Sequence, residues 1–371
     1  MSSPTTARAD DSSAPAAGGP SDTAPGTPGA DAGRTLARCR ALVRPSLSAA
    51  IGRLHPWTGE MAAFSFGWCE AGGAPRDPSS EGKGVRQALA VLCAEAVGAP
   101  GESAVAGAVA VELVHAFSLM HDDIMDGDGT RRRRAAVWKA YGTGPAVLAG
   151  DALLALAVQT LAEAPGPRTG AVVGRLSETL GELVRGQAED LLFESRPWTG
   201  AEAVRPEEYR SMAELKTGTL LGCAAALGAL LGGAPARTVT ALDLAGRHLG
   251  VGFQAVDDLL GIWGDPEVTG KPVYSDLRQH KKTYPVLAAL AADTVHAGDL
   301  LALLTSSRPL DGERAKRAAG LVEACGGRSA TVAEARRHLD AARTCLRSVP
   351  LAPGAAREME GLLGFLLHRT V

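Results

Sequence analysis

The feature that most constrains the fold is a helical spacing of apolar residues along most of the chain. Apolar side chains recur every three or four positions through long windows, among them 105–119, 149–161, 172–192, 209–231 and 239–263. This period places them on one face of an α-helix. Clusters of Pro and Gly, such as 142–145 and 232–235, separate the windows and predict turns. Since no strand-like alternation lies between them, we predict an all-α fold built as one large helical bundle.

The composition agrees with close-packed helices and limits the partners. Ala, Leu, Gly and Val dominate while aromatic residues supply only 4%, which favours helices over strands. The 38 basic and 41 acidic residues give a net charge of -3, so we expect no nucleic-acid partner. The longest uncharged stretch, 217–236, contains five glycines and a proline. It fits a buried helix end better than a membrane span, and we predict no transmembrane segment.

The N-terminal segment differs from the rest of the chain. Residues 1–33 are rich in Ala, Pro and Gly, and no Val, Ile, Leu or aromatic residue precedes Leu36. We predict a disordered tail over 1–33 and one helical domain over 34–371. The tail resembles neither a secretory signal nor a transit peptide, so we expect a cytoplasmic protein. A passive solubilising tail is the main interpretation, and a tail that docks on a partner protein is the alternative.

Two of the apolar helical windows are followed by, or end in, a cluster of aspartates. On a helix, Asp122 and Asp126 share one face with Asp123 beside them, and a second pair follows at Asp257 and Asp258. Carboxylates at this spacing repel unless a cation lies between them. Magnesium binds through one or two carboxylates and completes its shell with phosphate oxygens. Two such clusters on buried helices therefore indicate a magnesium-bridged diphosphate site.

The basic residues point to the same chemistry. Arg131–Arg134 directly follows the first aspartate cluster, and arginine forks match phosphate oxygens. Only seven of the 38 basic residues are lysines, so those that remain are candidates for phosphate contacts: Lys83, Lys216, Lys271 and Lys281.

These motifs resemble the trans-type polyprenyl synthetase family, the isoprenyl diphosphate synthases. The resemblance rests on Asp122–Asp126 with the arginines behind it and on Phe253–Gly261. Family-like elements also occur, in order, at Gly82-Lys83 with Arg86, His115, Gly186-Gln187 with Asp190, Lys216-Thr217, Gly270–Pro272 with Asp276, and Lys281–Pro285. The resemblance covers about residues 82 to 285. It implies an isoprenoid synthase fold, a homodimer, and condensation of isopentenyl diphosphate with a C5 to C15 allylic diphosphate to a linear all-trans product.

The resemblance also assigns roles to single residues. It implies that Asp122, Asp126 and Asp257 bind three magnesium ions that hold the allylic diphosphate. Arg131, Lys216 and Lys281 would hold the same diphosphate as it leaves. Lys83, Arg86, His115 and Arg132 would bind isopentenyl diphosphate, Thr217 and Gln254 would lie near the carbocation, and Lys271 would lie near the mouth of the site.

Product length and two departures from the family pattern complete the interpretation. Ser118 and Phe117 lie four and five residues before Asp122 and are expected to form the pocket floor. One aromatic residue at that fifth position resembles geranylgeranyl diphosphate synthases and predicts a C20 product, with C15 as the alternative.

The sequence departs from the family pattern at two places. The second motif ends in Gly261 rather than in a third Asp. The loop 81–87 is also altered, and this change is expected to affect the affinity for isopentenyl diphosphate.

Two other classes of protein share the fold. A class I terpene cyclase would need a second motif of the Asn/Asp, Ser/Thr, Glu type, and none is found near residues 250 to 275. A non-catalytic partner subunit usually loses the aspartates, which this chain keeps. Magnesium-dependent turnover with and without isopentenyl diphosphate separates these alternatives.

Overall fold

The computed structural model describes residues 28–76, 82–164, 166–269, 272–292 and 294–367, with only the backbone described at 28–30, 268–269 and 366–367. The helices up to the middle of the chain are α1 (Pro28–Ile51), α2 (Pro56–Phe66), α3 (Val85–Ala96), α4 (Val105–Met125), α5 (Val137–Tyr141), α6 (Thr143–Ala162), α7 (Thr169–Ser195) and α8 (Pro206–Ala213). The remaining helices are α9 (Thr219–Leu231), α10 (Ala236–Trp263), α11 (Pro266–Thr269), α12 (Ser275–Arg278), α13 (Tyr284–Ala291), α14 (Val295–Leu304), α15 (Gly312–Ala324), α16 (Gly327–Arg347) and α17 (Pro353–Leu367). A 3-10 turn covers Gly101–Ala104, and a π-helical turn covers Glu214–Gly218.

The all-α prediction is confirmed, because every predicted helical window lies within these helices. The window 209–231 spans α8, the π-helical turn and α9. The predicted turn at 142–145 is largely wrong, since α6 begins at Thr143. Pro145 lies in the first turn of α6, where a backbone N–H has no helical partner.

One small sheet departs from the purely helical expectation. The strands β1 (Thr130–Arg131) and β2 (Arg134–Ala135) form an antiparallel hairpin that begins just after α4. Its two loop residues, Arg132 and Arg133, have φ angles of 51° and 61°. Left-handed backbone at both positions matches the twist of a tight hairpin. The run of four arginines is therefore folded back on itself, which sends its side chains in different directions.

The core lies between α3, α4, α6, α9, α10 and their neighbours. Leu113 and Leu153 and the α9 and α10 residues Leu227 and Leu242 are completely buried. Each such side chain contributes about 1.5–3 kcal/mol through burial. A Cβ at Gly228 would lie 2.0 Å from the carbonyl oxygen of Ala90, so α9 approaches α3 at a point where only glycine fits.

Among the described residues, three helical stretches are long and apolar enough to cross a membrane by length and composition alone, namely Gly101–Met125, Thr143–Ala162 and Pro206–Leu231. The buried share of these stretches ranges from 39% to 72%. The prediction of no transmembrane segment stays a prediction. Residues 1–27 of the predicted tail lie outside the described residues. The predicted tail boundary at Gly33 is wrong in detail, since α1 begins at Pro28.

Candidate active site

The first aspartate cluster occupies the last turn of α4, and its members have different surroundings. Asp122 is half-buried, and burial raises the pKa of its carboxyl to about 6, with Asp126 adding to the rise and Lys216 and Arg131 opposing it. Asp123 is buried and accepts two hydrogen bonds from Nε of Arg131 at 2.8 and 2.9 Å. Asp123 is thus paired with Arg131, whereas Asp122 and Asp126 lie beside the lysines Lys216 and Lys281.

The two adjacent aspartates of α10 have opposite environments. Asp258 is buried and accepts hydrogen bonds from the Tyr209 hydroxyl at 2.7 and 2.9 Å, from Nε2 of Gln254 at 2.9 Å and from the backbone N–H of Tyr284 at 3.0 Å. Burial raises the pKa of Asp258 to about 7, although these hydrogen bonds lower it. Asp257 is exposed. Of this pair, Asp257 is therefore the carboxylate open to a ligand.

Two lysines flank the carboxylates of α4. Lys216 lies in the π-helical turn and donates to Asp190 of α7. Burial alone would lower the pKa of Lys216, but Asp190 and Asp122 raise it overall. Nζ of Lys281 lies 3.6 Å from Oδ2 of Asp126. Both ammonium groups are therefore held in the charged form beside the aspartates.

The position of Lys216 depends on the close approach of α7 and α10 to the π-helical turn. A Cβ at Gly186 of α7 would lie 2.5 Å from the backbone nitrogen of Lys216, and a Cβ at Gly250 of α10 would lie 2.3 Å from Cα of Gly218. Glycine at both positions lets α7 and α10 close on the π-helical turn. A π-helical turn inside an α-helix often marks a functional site.

The predicted carbocation residues are in direct contact. Thr217 donates through Oγ1 to Oε1 of Gln254 at 2.9 Å, and Gln254 in turn donates to Asp258. Asp258 thus fixes the amide of Gln254, which leaves its carbonyl oxygen directed at Thr217. Sequence reasoning placed Thr217 and Gln254 together but missed Asp258 and Tyr209 as their support.

A second, basic cluster lies between α3, α4 and the hairpin. Nη1 of Arg86 donates to Nε2 of His115 at 3.2 Å. Burial lowers the pKa of His115 well below its ordinary value, and Arg86, Arg132 and Arg131 lower it further. Nε of Arg86 is buried without a hydrogen-bond partner among the described residues. The buried carboxyl of Glu112 lies among the same arginines and offsets part of their charge. A buried donor without a partner among several arginines favours an anionic ligand.

The loop before α3 completes this cluster. The guanidinium of Arg132 lies so close to Gly82 that a Cβ there would be 2.7 Å from Nη2. Arg40 of α1 donates to the carbonyl oxygen of Gly82 at 2.7 Å. Lys83 follows in the same loop, with Nζ 5.8 Å from the centre of the Phe365 ring. Sequence reasoning missed Arg40 because it belongs to no motif and lies far upstream.

The predicted floor residues lie one turn before Asp122. The Phe117 ring meets the His121 ring edge-on, with centroids 4.7 Å apart. Ser118 donates through Oγ to the carbonyl oxygen of His115 at 3.0 Å. Lys271 lies outside the described residues.

Among the described residues, no three His, Cys, Asp or Glu side chains are arranged to hold a metal ion by themselves. Magnesium needs no such cage, because it uses one or two carboxylates and takes further oxygens from water and phosphate. The oxygen-only donor set of Asp122, Asp126 and Asp257 fits a hard cation of this kind.

The protein is an all-α bundle in which an aspartate cluster lies beside a cluster of arginines. A family model described as polyprenyl synthetase matches residues 77–322. The (2E,6E)-farnesyl diphosphate synthase of Mycobacterium tuberculosis (strain ATCC 25618 / H37Rv) is 43% identical over 331 residues, which cover 88% of this chain and 90% of that protein. The geranylgeranyl diphosphate synthase of the same organism is 43% identical over 303 residues, 80% of this chain and 84% of that protein.

Solved structures agree with this assignment. The polyprenyl synthetase from Streptomyces coelicolor A3(2) has a TM-score of 0.84 and 46% identity, covering 90% of this chain and 98% of that one. The geranylgeranyl pyrophosphate synthase from Corynebacterium glutamicum, complexed with calcium and isoprenyl diphosphate, has a TM-score of 0.73 and 27% identity, covering 91% of this chain and 96% of that one. The chain belongs to the polyprenyl synthetase family. It is a trans-prenyl diphosphate synthase, a prenyltransferase of isoprenoid biosynthesis.

Proposed function

We propose that this synthase condenses isopentenyl diphosphate with C5 to C15 allylic diphosphates and releases mainly geranylgeranyl diphosphate (C20). The observation that carries the length assignment is Phe117, which lies one turn before Asp122 and is followed by the small Ser118. A C15 product is the second candidate, because farnesyl and geranylgeranyl diphosphate synthases are both 43% identical to this chain.

In this proposal Asp122, Asp126 and Asp257 hold three magnesium ions together with the allylic diphosphate. Support comes from the position of Asp122 and Asp126 four residues apart at the end of α4, from the exposure of Asp257, and from the calcium and isoprenyl diphosphate bound by the relative from C. glutamicum. Bound magnesium would neutralise the diphosphate and act as a Lewis acid on it.

Lys216, Lys281 and Arg131 stabilise the leaving diphosphate in this proposal. Breaking an allylic C–O bond leaves negative charge on the diphosphate oxygens, and cations fixed in advance stabilise that charge most. Lys216 and Lys281 are already held beside the α4 carboxylates by Asp190 and Asp126. Arg131 keeps Nη1 for a phosphate oxygen while Nε and Nη2 bind Asp123.

Thr217 and Gln254 are proposed to face the allylic cation. Their side chains are neutral and bonded to each other, so they offer oxygen dipoles without a free nucleophile. C4 of the C3=C4 double bond of isopentenyl diphosphate attacks the allylic cation, which forms the new C–C bond and leaves a tertiary cation at C3. Loss of a proton from C2 then forms a C2=C3 double bond. The released diphosphate is the proposed acceptor of that proton.

Arg86, His115, Arg132 and Lys83 are proposed to hold the diphosphate of isopentenyl diphosphate. The buried Nε of Arg86 supplies a donor, and neutral His115 accepts from Arg86, which fixes the guanidinium plane. Lys271, near the mouth of the site in this proposal, completes the set of cations.

The test is product analysis of the purified protein with magnesium, labelled isopentenyl diphosphate and, separately, the C5, C10 and C15 allylic diphosphates. We expect a linear C20 diphosphate from all three primers and none after chelation of the metal. The Asp122→Asn variant is the control for adventitious activity. Release of C15 from the shorter primers, with no use of the C15 primer, would replace the C20 assignment by C15.

Homodimerisation and a cytoplasmic location are further proposals. Support for a dimer comes from exposed apolar side chains on neighbouring helices α6 and α7, where Leu148, Val184 and Leu192 are 53%, 61% and 62% exposed. Sedimentation of the purified protein tests whether it is a dimer.

The N-terminal tail is proposed to be dispensable for turnover, and removal of residues 1–27 tests this.

A further inference from the structure

The residue directly before the first aspartate motif has contacts on two helices. His121 of α4 lies edge-on against Phe117, one turn earlier, with an interplanar angle of 66°. On the other side Nε2 of His121 lies 3.2 Å from the carbonyl oxygen of Val147 of α6. Because a carbonyl oxygen only accepts, Nε2 carries the proton and donates. The imidazole therefore connects the Phe117 ring to the backbone of α6.

Helix α6 leaves room for this imidazole at one residue. A Cβ at Gly150 would lie 2.3 Å from Nε2 and 2.6 Å from Cδ2 of His121, far inside contact distance. Any larger residue at 150 would displace the ring. The glycine and the Val147 carbonyl thus fix one orientation of His121, and His121 covers one side of Phe117.

We propose that His121 is a positioning residue for product length, which holds the Phe117 ring in place through the α6 backbone at Val147 and Gly150. The inference rests on the proposed function, in which Phe117 closes the pocket below the aspartates. An elongating chain has to pass or displace the Phe117 ring to grow further. A ring packed against a fixed imidazole resists that displacement more than one packed against a mobile side chain.

The mechanism predicts opposite shifts for two substitutions. His121→Ala removes the edge contact and leaves a void, so the Phe117 ring can turn aside and longer chains form. Gly150→Ala pushes the imidazole away from α6 and against Phe117, so shorter chains form. Gly144→Ala is the matched control, because Gly144 lies on the same helix and a Cβ there meets nothing within 4 Å.

The measured quantity is the ratio of C25 and longer products to C20 products at low conversion, which does not depend on the total rate. We expect His121→Ala to raise this ratio about two- to tenfold, the range set by loss of one aromatic pair. We expect Gly150→Ala to shift the products towards C15 and Gly144→Ala to match the wild type. His121→Asn, which keeps a side-chain N–H but lacks the ring, replaces His121→Ala if that variant does not fold.

A double variant distinguishes positioning from a direct role. Phe117→Ala alone is expected to lengthen the products, and adding His121→Ala to it is expected to change the ratio no further. A further increase of the same size in the double variant would overturn the inference, as would a wild-type distribution in active His121→Ala and Gly150→Ala variants. Failure of the proposed function is a separate result, because the wild-type protein would then form no prenyl diphosphate.

Discussion

Arg131 binds Asp123 through two of its nitrogens, with Nη2 at 2.6 Å from Oδ1 and Nε at 2.8 Å from the same oxygen. The hairpin that follows α4 returns Arg131 to the helix it has just left. Of the three neighbouring carboxylates, Asp123 is thereby paired with an arginine, while Asp122 and Asp126 lie beside lysines. The first prediction follows from these different surroundings.

Asp122→Asn is expected to lose most of the magnesium-dependent rate, by about 100-fold or more, and to gain stability. The pKa of Asp122 is raised to about 6, so at pH 7 the ionised carboxyl opposes folding. Removing that charge stabilises the metal-free protein by about 1–3 kcal/mol. Urea unfolding at pH 7 without metal measures the stability, and initial rates with magnesium measure the activity.

The adjacent variant Asp123→Asn is the control for this prediction. Burial raises the pKa of Asp123 as well, but the ion pair with Arg131 opposes this rise, and the variant leaves Arg131 beside a neutral amide. Loss of one partner of a buried pair costs about 3–5 kcal/mol, which offsets the gain from removing the charge. Because Arg131 is 36% exposed, we expect the lower part of that range. Equal stabilities of the two variants would contradict the division of roles.

The second prediction compares Asp257 with Asp258. Asp257→Asn is expected to unfold like the wild type but to lose at least about tenfold in rate, since one proposed metal ligand is removed. Above the pKa of Asp258, which is about 7, Asp258→Asn replaces a carboxylate that accepts from three donors by an amide whose N–H group faces them. Each lost buried hydrogen bond costs about 1–3 kcal/mol. Thermal unfolding and magnesium titrations of the rate separate the two, and a stable Asp258→Asn variant would refute the anchoring role.

The third prediction concerns two neighbouring arginines of the hairpin. Arg132→Gln is expected to raise KM for isopentenyl diphosphate about 10- to 100-fold, because one charge-assisted phosphate contact is lost. KM for the allylic substrate is expected to stay within about twofold.

Arg133→Gln is the matched control for Arg132. Both residues lie in the same left-handed loop, but the Arg133 guanidinium donates to the backbone carbonyl of Glu267 rather than facing His115. We expect both KM values of this variant to match the wild type. A rise in the allylic KM for Arg132→Gln would instead place Arg132 at the other diphosphate.

The sequence predicted the parts of this molecule that depend on local pattern. The windows ending at Leu119 and Trp263 form α4 and α10 because a 3.6-residue apolar period is itself the signal for a buried helix face. The same period places Asp122 and Asp126 on one face. The placement of Thr217 and Gln254 near one carbocation came from the family resemblance, since no spacing rule joins residues on two separate segments, and their contact is visible only in the structure.

Long-range partners and special backbone conformations were beyond such reasoning. Asp258 and Asp257 are neighbours in sequence, and only the tertiary structure directs one inward to Tyr209 and the other to solvent. The hairpin was missed because its loop is Arg132-Arg133, whereas tight turns usually carry Asn or Gly. Arg40 donates to the carbonyl oxygen of Gly82, and no local sequence motif predicts this contact.

The fourth prediction follows from the neutral histidine of the basic cluster. The pKa of His115 lies well below that of an unfolded histidine, so between the two values the unfolded chain binds a proton that the folded protein does not. His115 therefore favours folding fully above about pH 6.5, and this contribution is lost as the pH falls, by up to about 1.4 kcal/mol per pH unit. His115→Gln is expected to lower the stability at pH 7, yet to show a shallower decline of the unfolding free energy from pH 7 to 5.

His248→Gln is the control for a general histidine effect. The pKa of His248 is also lowered, but His248 lies outside the site. We expect this variant to keep the wild-type KM for isopentenyl diphosphate. Parallel stability curves for His115→Gln and the wild type would mean that His115 is protonated in the folded protein, and Arg86 could then no longer donate to it.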